Sequence, residues 1–104
     1  MVVMFIGSTG LRSMMEEKKK EYEKKGIGVL MPCFDDYEGS ELEICKKNIE
    51  NIKKADYVEV FWDGRSVGTV FDLGACLALG KKIKIGFLSK KSLINLVKEM
   101  EKTI

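Results

Sequence analysis

The chain contains no histidine, a single proline, and only two arginines against sixteen lysines. Without histidine, Ser–His and Cys–His nucleophile pairs are excluded. A zinc site loses its commonest nitrogen ligand, and Cys33, Cys45 and Cys76 form no Cys-x-x-Cys pair that could replace it. An odd number of scattered cysteines reads as reduced thiols in a cytoplasmic protein. Neither a metal nor an organic cofactor is expected. No apolar run approaches the ~20 residues of a membrane span. Met1-Val-Val-Met-Phe-Ile6 is too short for a signal peptide and lacks a basic leader. A net charge of +2 gives no reason to expect a nucleic-acid polymer as partner. The lysines lie in blocks with glutamates, as in Glu16-Glu-Lys-Lys-Lys-Glu21, the pattern of a solvated helix face. Acid–base chemistry therefore falls to carboxylates, tyrosines or lysines, and the two arginines, Arg12 and Arg65, are the groups best shaped for phosphate.

What is present is an alternation of short apolar runs and helical patterns over one domain, residues 1–104. Val2–Ile6 reads as a strand that stops at Gly7-Ser-Thr-Gly10. Leu11–Lys25 follows as an amphipathic helix ended by Gly26. Ile27–Met31 is a second strand closed by Pro32. Ser40 with Glu43 forms a capping box that opens a helix through Lys54. Tyr57–Trp62 is a third strand. Gly68–Gly80 is a third helix, hydrophobic nearly all round and so expected to be largely buried. Ile83–Phe87 is a fourth strand, and Ser89 or Ser92 caps a last helix to about Lys102. This alternation predicts an α/β fold: a doubly wound, flavodoxin- or Rossmann-like parallel sheet of four or five strands in the order 2-1-3-4, with helices on both faces. Ligands of such sheets bind beyond the carboxyl ends of the strands where the order reverses, here between the first and third.

The loops that meet there are Gly7-Ser8-Thr9-Gly10 and Asp63-Gly-Arg65-Ser66-Val-Gly68. Glycines let backbone approach a ligand, and helix N-terminal amides favour anions. Arg12 and Arg65 lie in or just past these loops. A solvated turn is the plainer reading of either segment. Between Arg65 and Lys81 only one residue is charged, Asp72. A carboxylate in so apolar a stretch is either an acid answering the helix dipole or a partly desolvated catalytic group. Other acids are less well placed. Asp56 precedes the third strand and belongs at the opposite edge. Asp35 and Asp36 sit on the loop after the second strand. Trp62 and Phe34 could stack on a base, although core or rim is the ordinary place for such aromatics. Asn48, in mid-helix, is expected at the surface.

Taken together, Phe5-Ile-Gly-Ser8, Asn48-Ile-Glu-Asn-Ile-Lys-Lys-Ala-Asp56-Tyr-Val-Glu-Val, Ser66-Val-Gly68 and Phe71-Asp-Leu-Gly-Ala-Cys-Leu-Ala-Leu-Gly-Lys81 resemble the nucleoside 2-deoxyribosyltransferase family. Within it, the nearest resemblance is to the small 2′-deoxynucleoside 5′-phosphate N-hydrolases. The resemblance implies retaining attack on the anomeric carbon of a deoxynucleoside or its 5′-monophosphate. Asp72 matches the family's nucleophilic glutamate. Ser8, Ser66 and the amides near Gly68 match groups that hold sugar and phosphate, with Gly7, Thr9, Arg12 and Arg65 added from position alone. It also implies a homodimer or larger homo-oligomer, with Ser92 or Asn95 as a donor lent between subunits. The chain departs from the pattern in four places. Asp72 is one methylene shorter than glutamate, Asn48 replaces a second acid, Met4 replaces a tyrosine, and Val70 replaces a glycine. With Asn48 unable to exchange a proton, Asp63 or Asp36 is left to protonate the leaving base. Two further readings stay open: a nucleotide-binding module of the same fold that has lost the chemistry, and a plain flavodoxin-like domain binding flavin or nothing.

Overall fold

Four runs rich in valine, isoleucine and aromatics form the strands, β1 (Val2–Gly7), β2 (Gly28–Leu30), β3 (Tyr57–Trp62) and β4 (Ile83–Leu88). Between and after them lie α1 (Arg12–Lys24), α2 (Glu41–Lys54), α3 (Val67–Ala78) and α4 (Ile94–Thr103), and a 3₁₀ turn at Thr9–Leu11 leads into α1. The structure is a computed structural model that describes residues 1–34, 36–89 and 94–103. All strand pairs are parallel and the order is β2-β1-β3-β4, as the alternation predicts, with four strands among the described residues. Ser92, one of the two expected caps of α4, lies outside the described residues.

Both sheet faces are buried. Val3, Phe5 and Phe61 point toward α1, where they pack with Met15, Tyr22 and Phe34. Met4, Ile6, Val58, Val60 and Trp62 point the other way, onto Ile52 of α2, Leu73 and Cys76 of α3, and Val97 and Met100 of α4. Period-two alternation thus feeds two cores from β1 and β3, while β4 adds only to the second. Burying a large side chain such as Trp62 or Phe5 contributes ~1.5–3 kcal/mol.

Helix ends are fixed by side chains. Glu43 N–H donates to Ser40 Oγ at 3.1 Å, and Ser40 N–H reaches back toward Glu43 Oε1 at 3.4 Å, which is the expected capping box. At the other end of α2, Lys81 Nζ donates to the carbonyls of Ala55 (2.7 Å) and Lys53 (3.4 Å). Asp56 is structural, since its carboxylate accepts the Val2 amide at 2.7 Å on the amino edge of the sheet. On β4 the Ile85 amide donates to Glu101 Oε2 of α4 at 2.7 Å.

Two features depart from the sequence expectation. α3 is buried only along Thr69, Asp72, Leu73 and Cys76, while Val67 (82% exposed), Phe71 (46%) and Leu77 (58%) face outward. A helix apolar all round has two covered faces only where two layers pack on it, and here one layer does. The second is Glu59, a charged residue fully buried in β3, whose carboxylate accepts from Tyr22 Oη. The register slips between Val60 and Phe61 as β4 passes it, and a Cβ on Gly86 would sit 2.7 Å from Glu59 Oε2. Glycine at that bulge leaves room for the buried acid.

Candidate active site

A cavity of about 180 Å³ opens beyond the carboxyl ends of β1, β2 and β3, at the reversal of strand order. Each wall comes from a different connection. The β1–α1 turn supplies Gly7, Ser8 and Thr9, and the chain after β2 supplies Pro32, Cys33 and Phe34. α2 supplies one stripe, Ile44, Cys45 and Asn48, at helical spacing. The start of α3 supplies Ser66, Gly68 and Thr69, followed by Phe71 and Asp72.

Asp72 is 5% exposed and lines this cavity rather than turning to solvent or to a lysine. Burial raises its carboxyl to about 7, and the hydrogen bond from Asn48 offsets only part of that. Asn48 is itself buried, which corrects the expectation of surface exposure. Its Oδ1 accepts the Cys33 amide at 3.0 Å, which aims Nδ2 at Asp72 Oδ2, 3.5 Å away. The backbone after β2 thereby orients a polar partner of the buried acid. Cys33 and Cys76 stay protonated, for burial raises both, Cys76 to about 12, with the Asp72 charge adding to each.

The N-terminus of α3 lines the cavity about one turn before Asp72. Asp63 Oδ1 accepts the amides of Arg65 (2.9 Å) and Ser66 (2.8 Å), closing a turn whose Gly64 has φ 88°. Ser66 caps the helix, its Oγ accepting from Thr69 N–H at 3.3 Å and Thr69 Oγ1 at 3.0 Å. Two acceptances leave the Ser66 hydroxyl proton for a further partner. Ser8 Oγ is buried and makes no hydrogen bond of ordinary geometry, although it lies near enough to Asp63 to help lower that carboxyl.

Three expected participants stand elsewhere. Arg12 is held by Glu16 (3.1 Å) and Asp36 (2.9 Å) and stacks over Phe34 at 4.7 Å. Its guanidinium faces a separate surface groove with Lys19 and Lys20. Phe34 is the partition between groove and cavity. Arg65 is exposed on its turn and does not line the cavity. Asp63 does not line it either. Burial would raise its carboxyl, but the amides of Arg65 and Ser66 outweigh that and hold it low. Asp36 is kept below its ordinary value by the Arg12 hydrogen bond. Neither acid is therefore placed or protonated to serve a leaving base. Asp35 and Ser92, and the Asn95 side chain, lie outside the described residues. Trp62 is core, and Met4 is fully buried away from the cavity wall.

Sequence reasoning passed over Thr69, Phe71, Ile44 and the two thiols of Cys33 and Cys45. The spacing of Ile44, Cys45 and Asn48 was the available signal for the α2 stripe. Among the described residues no three His, Cys, Asp or Glu side chains gather as a metal site. No helix there is long and apolar enough to cross a membrane.

No family model and no curated protein matches the sequence. Among solved structures, the fold is similar to that of BcmB, the CMP N-glycosidase of Clostridium botulinum. The TM-score is 0.65 at 24% identity, over 96% of this chain and 80% of that one. The four-stranded α/β architecture is thus one that a nucleotide N-glycosidase also uses.

Proposed function

We propose that this protein cleaves the N-glycosidic bond of a nucleoside 5′-monophosphate, with Asp72 as the nucleophile. One observation carries the reading: the lone acid of α3 is buried in a cavity at the strand-order reversal, on the same wall as the start of its own helix and about one turn along from it. The phosphate would sit at that start, where the Gly68 amide, the Ser66 hydroxyl proton and the helix dipole offer donors without a cationic side chain. The buried Ser8 hydroxyl, which makes no hydrogen bond of ordinary geometry, would donate to the sugar or phosphate. Asp72 would attack C1′, forming a glycosyl ester that water or a second base then resolves, with net retention. The likeness to a CMP N-glycosidase supports the nucleotide, and the family resemblance favours deoxyribose. Asn48 would act by holding the Asp72 carboxylate in its attacking orientation.

Incubating the purified protein with CMP, dCMP and other (deoxy)nucleoside monophosphates, beside Asp72→Ala, tests this by chromatography of the released base. Release by the wild type alone is expected; equal traces from both proteins would refute the assignment.

A second reading, binding without turnover, is favoured by one fact: among the described residues the cavity holds no acid besides Asp72. It is distinguished by thermal stabilisation with a nucleotide and no base release. Saturation at one hundred times Kd would add ~2.7 kcal/mol.

The protein would act as a homodimer. Val67, Val70, Phe71 and Leu77 leave an apolar face of α3 exposed, continuous with the cavity through Phe71. A second copy would cover it and close the cavity's open side. Light scattering after size exclusion should give twice the chain mass, and the chain mass alone for Leu77→Glu. A wild-type monomer would refute the dimer.

A further inference from the structure

A carboxylate nucleophile with no second acid beside it among the described residues restricts what can leave. A neutral nucleobase departs with an extra electron pair and needs a proton, and a positioned general acid supplies ~10²–10⁴-fold of the rate. In this cavity Asn48 is an amide, and Cys33 and Cys45 bring thiols, of which Cys33 is made a weaker acid by burial. Asp63 is bound into its turn and Asp36 is ion-paired to Arg12 on the far side of Phe34. None of the described acids other than Asp72 reaches the space.

We propose that the substrate of this cavity is a nucleotide whose base carries a fixed positive charge, an N-ribosylated pyridinium, because such a base leaves as a neutral ring and takes no proton. The inference rests on Asp72 being the nucleophile of an N-glycosidase. In the first step an Asp72 carboxylate oxygen bonds to C1′ while the C1′–N bond breaks. Its electron pair goes to the ring nitrogen and cancels the charge. In the second, water bonds to C1′, the ester bond to Asp72 breaks, and one proton is released to solvent. Pyridinium nucleotide and water give the free pyridine, the sugar phosphate and a proton.

Three further observations fit a cationic base. Among the described residues no lysine or arginine lines the cavity, so a positive ring meets no repulsion from them. Among the described residues Asp72 has no cationic partner, and a positive ring beside it would draw its raised carboxyl back toward the ionised, attacking form. Phe71, half-exposed at the rim, lines the same space and adds an aromatic side chain favourable to a cation.

The test compares nicotinamide mononucleotide with CMP and dCMP, following released base for the wild type, Asp72→Asn and Asn48→Asp. Nicotinamide release is expected to exceed cytosine release by ~100-fold or more, and to vanish in Asp72→Asn. Its kcat should rise with pH to a plateau without an alkaline fall, for no acid has to stay protonated. Asn48→Asp places a second carboxyl beside Asp72 and, although it also removes the Asn48 hydrogen bond, should raise the ratio of cytosine to nicotinamide release at least ~10-fold. Asp72-dependent cytosine release with nicotinamide mononucleotide untouched would overturn the cationic substrate and leave the N-glycosidase reading standing. No release from any of the three would remove both. Loss of cytosine release in Asp35→Asn, with cytosine the faster product in the wild type, would identify an acid and also overturn the inference.

Discussion

Asp72→Asn should make this protein more stable above neutral pH, and the gain should vanish in acid. The buried carboxyl has its pKa at about 7 against an ordinary 3.8. Between those two values the folded state keeps a proton that the unfolded chain has lost. Stability of the wild type therefore declines as pH rises from about 4 to about 7, by ~1.4 kcal/mol per pH unit. The whole interval amounts to roughly 4 kcal/mol, reached at pH 8. Asparagine has the same shape and no charge to desolvate, and its Oδ1 can accept from Asn48 Nδ2. Allowing ~1 kcal/mol for imperfect hydrogen bonding leaves a gain of about 3 kcal/mol at pH 8. In urea this is a midpoint shift of roughly 1–3 M. Equilibrium unfolding of both proteins at pH 4, 6 and 8 measures it, and groups shared by the two cancel in the difference. A gap that stays constant with pH would show that Asp72 ionises without penalty, and the case for a desolvated nucleophile would go with it. The same variant should release no base, so the residue that costs stability is the one that carries activity.

Three other substitutions probe the frame of the site. Ser66→Ala removes the α3 cap and should cost ~1 kcal/mol, a fall in Tm of about 4–8 °C, and should also weaken stabilisation by a nucleoside monophosphate in a thermal-shift assay. Tyr22→Phe takes away the hydroxyl that serves buried Glu59 and should cost ~1–3 kcal/mol in denaturant unfolding. Lys81→Met should cost ~0.5–1.5 kcal/mol by leaving the last carbonyls of α2 unanswered, with base release unchanged.

The architecture was legible because each of its devices is local: apolar runs of strand length, the Ser40–Glu43 box, and glycine after α1 and α3. Asp72 was legible for a related reason, as the one charge in a long apolar stretch. What escaped depends on contacts between distant segments. Helix spacing alone makes Asn48 a surface residue, and only the family resemblance sets it at a site position; the backbone after β2 holds its Oδ1, fifteen positions away. Arg12 lies next to the right loop, but Asp36, twenty-four positions on, draws it behind Phe34. Glu59 has nothing in its neighbourhood of sequence to mark it as buried, because its partner is on α1. The all-round apolarity of α3 was read as burial, whereas half of it is unclaimed surface. A sequence pattern states that a face wants covering and not what covers it.

The contact between Glu101 and the Ile85 amide has a consequence for solubility. A border strand with free amides is a template on which any extended chain can add itself, and proteins that leave one open tend toward fibrils. Here the docking of α4 places a carboxylate on one of those amides, so an arriving strand meets a taken donor and a negative charge. Loosening the last helix would remove that guard together with its apolar contacts. Glu101→Ala should therefore be detectable as faster aggregation on gentle heating, before any loss of the sheet itself.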